Sequence, residues 1–139
     1  MRNKAPLALM ELLIMLFVFA LAAALCLQAF SLSNRISAKN EARDHAVVQA
    51  QNAAELFQYY EGDGRSAASD HGGSWDGSTW RIHFDRQWNM VPSDGTYCLQ
   101  VSVTESGHDL LDSASVTVTE SDADGECLIT LPVCWQKKE

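Results

Sequence analysis

The residue types that most often carry catalysis are present in this chain of 139 residues without the spacing that catalysis requires. Its four histidines (His45, His71, His83 and His108) are scattered. Neither the HExxH spacing of zinc peptidases nor the GxSxG turn of serine hydrolases occurs, and there is no glycine-rich phosphate loop. We therefore expect a protein that is not an enzyme and that uses no cofactor.

Four cysteines are the next candidates for chemistry. Cys26 lies in an apolar segment and acts there as a small apolar residue. Cys127 and Cys134 are too far apart on one straight strand, about 23 Å, to form a disulfide. Cys98 and Cys134 share a face of the predicted sheet and form the candidate disulfide. In a simple meander one strand lies between them, so this bridge needs another strand order or a C-terminal fold-back. The absence of a CxxC pair argues against a zinc ribbon or a redox motif.

The segment SDADGE, residues 121–126, places Asp122, Asp124 and Glu126 in alternation. These carboxylates resemble the beginning of a calcium loop, although an EF-hand needs more ligands and a distal glutamate. A hairpin turn built on Asp-Gly explains the same residues without a metal. We keep the three residues as weak calcium candidates and expect no metal site.

A single carboxylate, Glu11, lies inside the most apolar part of the chain. The stretch from Leu7 to Leu27, about 21 residues, is long enough at 1.5 Å per residue to cross a hydrocarbon core of roughly 30 Å. A carboxylate costs about 2.5–3.5 kcal/mol at the centre of a membrane helix and less near its end. Glu11 therefore either meets a cationic partner or snorkels to the interface without one.

A retained membrane helix explains this segment better than a cleaved secretory signal. The apolar run exceeds the 7–15 residues of a signal peptide, and the sequence after it continues in helical character. Arg2 and Lys4 precede the run, which favours a cytoplasmic N-terminus and an extracytoplasmic remainder. We predict a basic leader (1–6), a transmembrane helix (7–30) and an amphipathic continuation of the same helix (31–58).

The continuation carries an apolar stripe at helical spacing, which we expect to pack on the domain that follows. The stripe consists of Leu32, Ile36, Ala46, Val47, Ala50, Ala53, Ala54 and Phe57.

The remainder of the chain is acidic and has the pattern of a β domain. From residue 59 onward there are five Lys or Arg against fourteen Asp or Glu, which argues against a nucleic-acid partner. A Gly/Ser/Asp-rich loop is predicted at 59–78 and an antiparallel meander at 79–139. Its four strands are 79–85, 96–104, 114–120 and 126–135, and Pro132 indicates an edge strand or a bulge. The fold class is therefore α+β: a long N-terminal helix packed on a small antiparallel sheet of about four strands.

The basic leader, the MELLIML run around Glu11, the long helix and the small sheet together resemble the type IV pilins and the pseudopilins of type II secretion and competence systems. The resemblance implies cleavage by a prepilin peptidase between Pro6 and Leu7, although the family normally has glycine where this chain has Pro6. It also implies that Glu11 is an assembly residue that pairs with the N-terminal amine of a neighbouring subunit. With the leader intact, Lys4 or Arg2 of a neighbour would take that role.

The function implied by this resemblance is a structural subunit of a pilus or pseudopilus, with a minor role favoured by the unusual junction and by the lack of a helix-kinking proline. Its expected partners are the lipid bilayer, other pilin-like subunits and an inner assembly platform. The alternative is a single-pass membrane-anchored binding module with no filament role. Exposed Trp75 and Trp88 near loops would be its contact residues, and half-buried tryptophans that only pack are the alternative.

Overall fold

The computed structural model describes residues 4–121 and 125–138. The chain divides into two compact units with the boundary between Asn40 and Glu41. The main helix, α1 (Ala5–Tyr59), runs through both of them. A second helix, α2 (Gly64–His71), follows it. The strands are β1 (Ser74–Trp75), β2 (Thr79–Phe84), β3 (Met90–Val91), β4 (Tyr97–Thr104), β5 (Leu111–Glu120) and β6 (Cys127–Gln136).

Helix α1 is 55 residues long, close to the 50 or so expected, because nothing interrupts it. Pro6 lies in its first turn, where the missing N–H has no intrahelical partner to lose. No further glycine or proline occurs until Gly62. The helix ends in a Schellman motif: the Gly62 N–H donates to the carbonyl of Phe57, and the Glu61 N–H donates to that of Gln58. Glu61, at the left-handed position with φ 53°, forms an ion pair with Lys138.

The predicted α+β fold is confirmed, with six strands rather than about four. The four predicted strands correspond to β2, β4, β5 and β6, and neighbouring strands are antiparallel in the order β1-β2-β4-β5-β6. The two additional strands have only two residues each, and both pair with β2. Strands this short form because β2 offers them hydrogen-bond partners. Two residues are too few to show an alternation of apolar and polar side chains in the sequence. The segment 59–78, predicted as a loop, contains α2 and β1.

Strand β6 lies at the edge of the sheet, as Pro132 predicts. The carbonyl of Cys134 accepts a hydrogen bond of 2.9 Å from the Gln58 side chain of α1, so the backbone polar groups of Cys134 point away from β5. The backbone groups of residues two apart point to the same side of a strand. Those of Pro132 therefore also point away from β5, and its missing N–H removes no hydrogen bond between β5 and β6. The register irregularity of this strand pair lies elsewhere, between Val118 and Thr119 of β5.

The core lies between the second half of α1 and one face of the sheet. Five stripe residues (Ala46, Ala50, Ala53, Ala54 and Phe57) are buried there, as predicted. They pack with alternate strand residues, among which Trp80, Leu99, Val101, Val116 and Val118 are fully buried. Leu32 and Ile36, which were expected in the same stripe, are 60% and 52% exposed. The buried stripe therefore begins at Ala46 and not at Leu32.

Two aspartates shape the segment that leads into the sheet. Asp63 caps α2 by accepting from the Ser66 hydroxyl and from the N–H groups of Ser66 and Arg65, which lowers its pKa. Asp76 closes the turn between β1 and β2. The N–H groups of Ser78 and Thr79, with the Ser78 hydroxyl, lower its pKa to about 2.

Candidate membrane and assembly helix

The first turn of α1 contains the predicted processing junction. The Lys4 carbonyl accepts the Ala8 N–H at 3.1 Å, so the helical hydrogen bonds begin at Lys4. The bond between Pro6 and Leu7 therefore lies within the first helical turn, whose N–H groups have no intrahelical acceptor. A peptidase would meet this junction at a helix end, where local opening breaks few hydrogen bonds.

The segment around Glu11 presents apolar side chains in every direction. Large apolar residues from Leu7 to Ile36 are each between 50% and 73% exposed within the chain. This helix is long and apolar enough to span a membrane. A soluble monomer rarely exposes apolar patches of more than a few hundred Å². Such a surface needs a cover that the chain itself does not provide.

Glu11 is an exposed carboxylate in this apolar environment. Residues one turn away on the same side are Leu7, Ala8, Ile14 and Met15, none of which can bond a carboxylate. Within residues 4–121 and 125–138 no ion pair of Glu11 is found. Lys4 is two turns earlier, and Arg2 lies outside the described residues. The helix thus offers Glu11 no partner of its own along its described length.

The second half of α1 is held to the sheet by aromatic residues. Phe57 is fully buried, and its ring centroid lies 5.4 Å from that of Trp135 and 6.5 Å from those of Trp75 and Trp80. Alanines fill the preceding turns and are buried in the same core. The helix is therefore anchored by one large side chain near its C-terminal end.

The part of α1 that packs on the sheet, residues 45–57, is called the docked segment here. A second aromatic group holds its N-terminal end. Trp88, in the turn after β2, stacks on Tyr97 with ring centroids 4.1 Å apart and on His45 of α1 at 5.7 Å. Trp88 has φ 63°, and Asp85 accepts hydrogen bonds from the backbone of this turn. Because the turn is fixed in this way, the indole ring is directed towards the helix.

Both tryptophans proposed as ligand contacts for a binding module are half-buried and packed. Trp75 lies over Gly64, where an added Cβ would be 2.1 Å from the indole, as well as beside Phe57. Trp88 has ring partners on both sides. These side chains are occupied by packing, which corrects the expectation that they are exposed.

The structure does not bring Cys98 and Cys134 together. All four cysteines are free thiols. Cys98 pairs with Thr119 of β5, whereas Cys134 pairs with Ser113 of the same strand. Strand β5 therefore separates the two thiols, which are also six residues apart along the sheet, about 20 Å. The candidate disulfide is corrected: a simple meander order puts a strand between its two cysteines.

The weak calcium candidates Asp122 and Asp124 lie outside the described residues, and Glu126 lies just before β6. Among the residues that the structure does describe, no group of three His, Cys, Asp or Glu side chains is arranged to hold a metal ion. The calcium prediction for the 121–126 segment therefore stays untested.

Some features of the docked segment were missed from sequence. Gly62 could have predicted the Schellman motif from sequence. Asp63, with Ser66 three residues later, could have predicted the cap of α2. The stacking of His45 on Trp88 had none, because it depends on tertiary packing. Comparison with models of known protein families, with curated proteins and with solved structures finds no match.

Proposed function

We propose that the chain is a single-pass, membrane-anchored, pilin-like structural subunit that assembles through the first half of α1. The observation that carries the proposal is the exposed apolar stretch from Leu7 to Leu27, which contains one carboxylate and continues in the same helix to a small antiparallel β domain. The filament would be a type IV pilus or a secretion or competence pseudopilus, with the β domain outside the cytoplasm.

Assembly in this proposal is driven by contact between membrane helices and given its register by Glu11. A carboxylate at the edge of the hydrocarbon is costly, and pairing with a cation on another copy removes that cost. The cation is the new N-terminal amine if the chain is cut before Leu7. If the leader is retained, Lys4 or Arg2 of a neighbour takes its place. A defined pair of charges permits one helix stagger and disfavours the others.

The test compares two identical chemical changes on one helix. Glu11→Gln removes the carboxylate charge with little change in shape, and Glu41→Gln does the same at an exposed position outside the apolar segment. We expect both variants to resist alkaline extraction from membranes. Only Glu11→Gln should lose recovery in sheared filaments and the cross-linking of Cys26 between neighbouring membrane helices. Equal assembly of the two variants would contradict the role of Glu11.

Intact mass of the purified chain separates the two cationic partners. A mass lacking residues 1–6 supports the amine. If the chain is full-length and Lys4 is the partner, Glu11→Lys and Lys4→Glu should each abolish assembly alone. The double variant, in which the two charges are exchanged, should restore it.

The second candidate, a membrane-anchored binding module, shares the anchor and lacks the assembly step. Its support is limited to the anchor, because Trp75 and Trp88 are engaged in packing. Wild-type chain that is inserted in the membrane at high density and gives no Cys26 cross-link would favour this candidate.

A further inference from the structure

The face of the sheet turned away from α1 differs from the rest of this acidic domain. Side chains alternate between the two faces of a strand, so the residues between the core positions form this outer face. On the four long strands the outer face consists of Thr79, Arg81, His83, Cys98, Gln100, Ser102, Thr104, Leu111, Ser113, Ser115, Thr117, Thr119, Cys127, Thr130, Pro132, Cys134 and Gln136. None of these residues is Asp, Glu or Lys, although the chain contains 18 acidic residues. Its arginine, Arg81, forms an ion pair with Asp76 at 2.9 Å.

Several polar groups of the outer face are bonded to one another, although the buried Nδ1 of His83 has no partner among the described residues. The hydroxyls of Thr104 and Ser113 are 2.9 Å apart, and Ser113 lies 3.1 Å from the Thr104 carbonyl. The side-chain amide of Gln100 donates to the Cys98 sulfur at 3.7 Å. A polar group that already has a protein partner loses less on leaving water than a group without one. These bonded groups therefore add little desolvation cost when another surface covers the outer face.

We propose that the outer face is a contact surface for a second copy of this chain in the same membrane, with the two outer faces packed against each other. Copies with a formal charge of −8 repel each other wherever their carboxylates approach. On the outer face two copies can meet without opposing unpaired carboxylates, since the carboxylate of Asp76 beside it is paired with Arg81. The inference rests on the membrane anchoring in the proposed function and is independent of filament formation.

The dimensions of the outer face explain why the contact needs the anchor. From Ser113 to Thr119 the face is about 20 Å long, and four strands make it about 14 Å wide, so each copy contributes roughly 300 Å². A stable protein interface uses about 800 Å² on each partner. Contact through the outer face alone is too small to hold a dimer in dilute solution. Confinement of both copies to one membrane raises their effective concentration and compensates.

The experiment again uses a matched pair of glutamine changes, here in the full chain reconstituted in neutral phosphatidylcholine vesicles. Gln100→Glu adds a carboxylate near the centre of the outer face, whereas Gln87→Glu adds one in the exposed turn after β2. Thr117→Cys, placed in a chain with the exposed cysteines 26, 127 and 134 replaced by serine, reports proximity through disulfide formation between copies. Thr117 pairs with Gln100 across the central strands.

We expect Thr117→Cys to form a dimer in vesicles and to lose it on dilution in detergent. Gln100→Glu should lower the dimer yield about threefold relative to Gln87→Glu, with recovery in 1 M salt, because like charges would then face each other. The proposal is overturned if both glutamate variants give equal yields, or if Gln87→Cys in the same background cross-links as well as Thr117→Cys. Absence of the Thr117→Cys cross-link, together with normal cross-linking of Cys26 in a separate chain that retains Cys26 and has Thr117 unchanged, would remove this inference alone. Loss of the Cys26 cross-link alone would remove only the helix assembly.

Discussion

Replacing Phe57 by alanine tests whether the second half of α1 is held to the sheet by this one large side chain. The ring is fully buried, and three tryptophan rings lie around it. Truncation of a buried phenylalanine costs about 3–5 kcal/mol, from lost burial and from the cavity that remains. We expect the upper half of this range, because three aromatic contacts are lost together.

Tyr59 is the matched control, since it lies two residues later on the same helix and is 77% exposed. Phenylalanine and tyrosine have similar helix propensities, so alanine gains about the same at either position. Tyr59→Ala should therefore change the free energy of unfolding by less than about 0.5 kcal/mol. Phe57→Leu, which retains much of the volume, should fall between the two alanine variants.

The assay is urea unfolding of the full chain in detergent micelles, followed by tryptophan fluorescence. With a slope of about 1–1.5 kcal/mol per molar urea for a domain of this size, Phe57→Ala should lower the midpoint by roughly 3–5 M. Equal losses for Phe57→Ala and Tyr59→Ala would refute the reasoning, because burial of the ring would then carry no particular stabilisation.

Two further predictions concern the turns that position the helix and the sheet. Gly62→Ala should destabilise the β domain by about 2 kcal/mol in the same urea assay, because the residue has φ 84° and an added Cβ would lie 2.5 Å from the Trp135 ring; an unchanged midpoint would contradict this. Asp76 has its pKa lowered to about 2, first by the Ser78 N–H and then by the Thr79 N–H. Its contribution to stability is therefore complete above the ordinary aspartate pKa near 4 and is lost as the pH falls towards 2. Asp76→Asn should flatten the stability profile between pH 4 and pH 2, and NMR titration of the carboxyl carbon should give the low midpoint directly.

The long strands and the long helix follow from local patterns that the fold preserves. Alternation in TWRIHF and CLITLPVCW places one residue in two on the buried face, and the structure has strands within a few residues of the predicted bounds. Helix α1 is continuous because its sequence contains no breaker. These features depend on spacing along the chain, which the sequence contains in full.

The features that were missed depend on tertiary contacts or on single residues. Strands β1 and β3 exist only as partners of β2, and two residues show no periodicity. Helix α2 is one short helix whose start is set by Asp63. Leu32 and Ile36 share the spacing of the alanine stripe, yet spacing alone does not tell whether a sheet lies beside that turn. In the candidate site, the position of Glu11 was evident from sequence, whereas its partner depends on another molecule.

Helix α1 combines two kinds of surface, and the difference bears on its function. Its docked half buries small side chains, mostly alanine, which lose no side-chain entropy and contribute little burial each. Its first half carries large side chains that the chain leaves exposed, and full burial of each is worth about 1.5–3 kcal/mol. In the proposed function, lipid and then other helices cover these side chains. Because lipid solvates leucine but not a carboxylate, that function assigns Glu11 a partner on another protein chain.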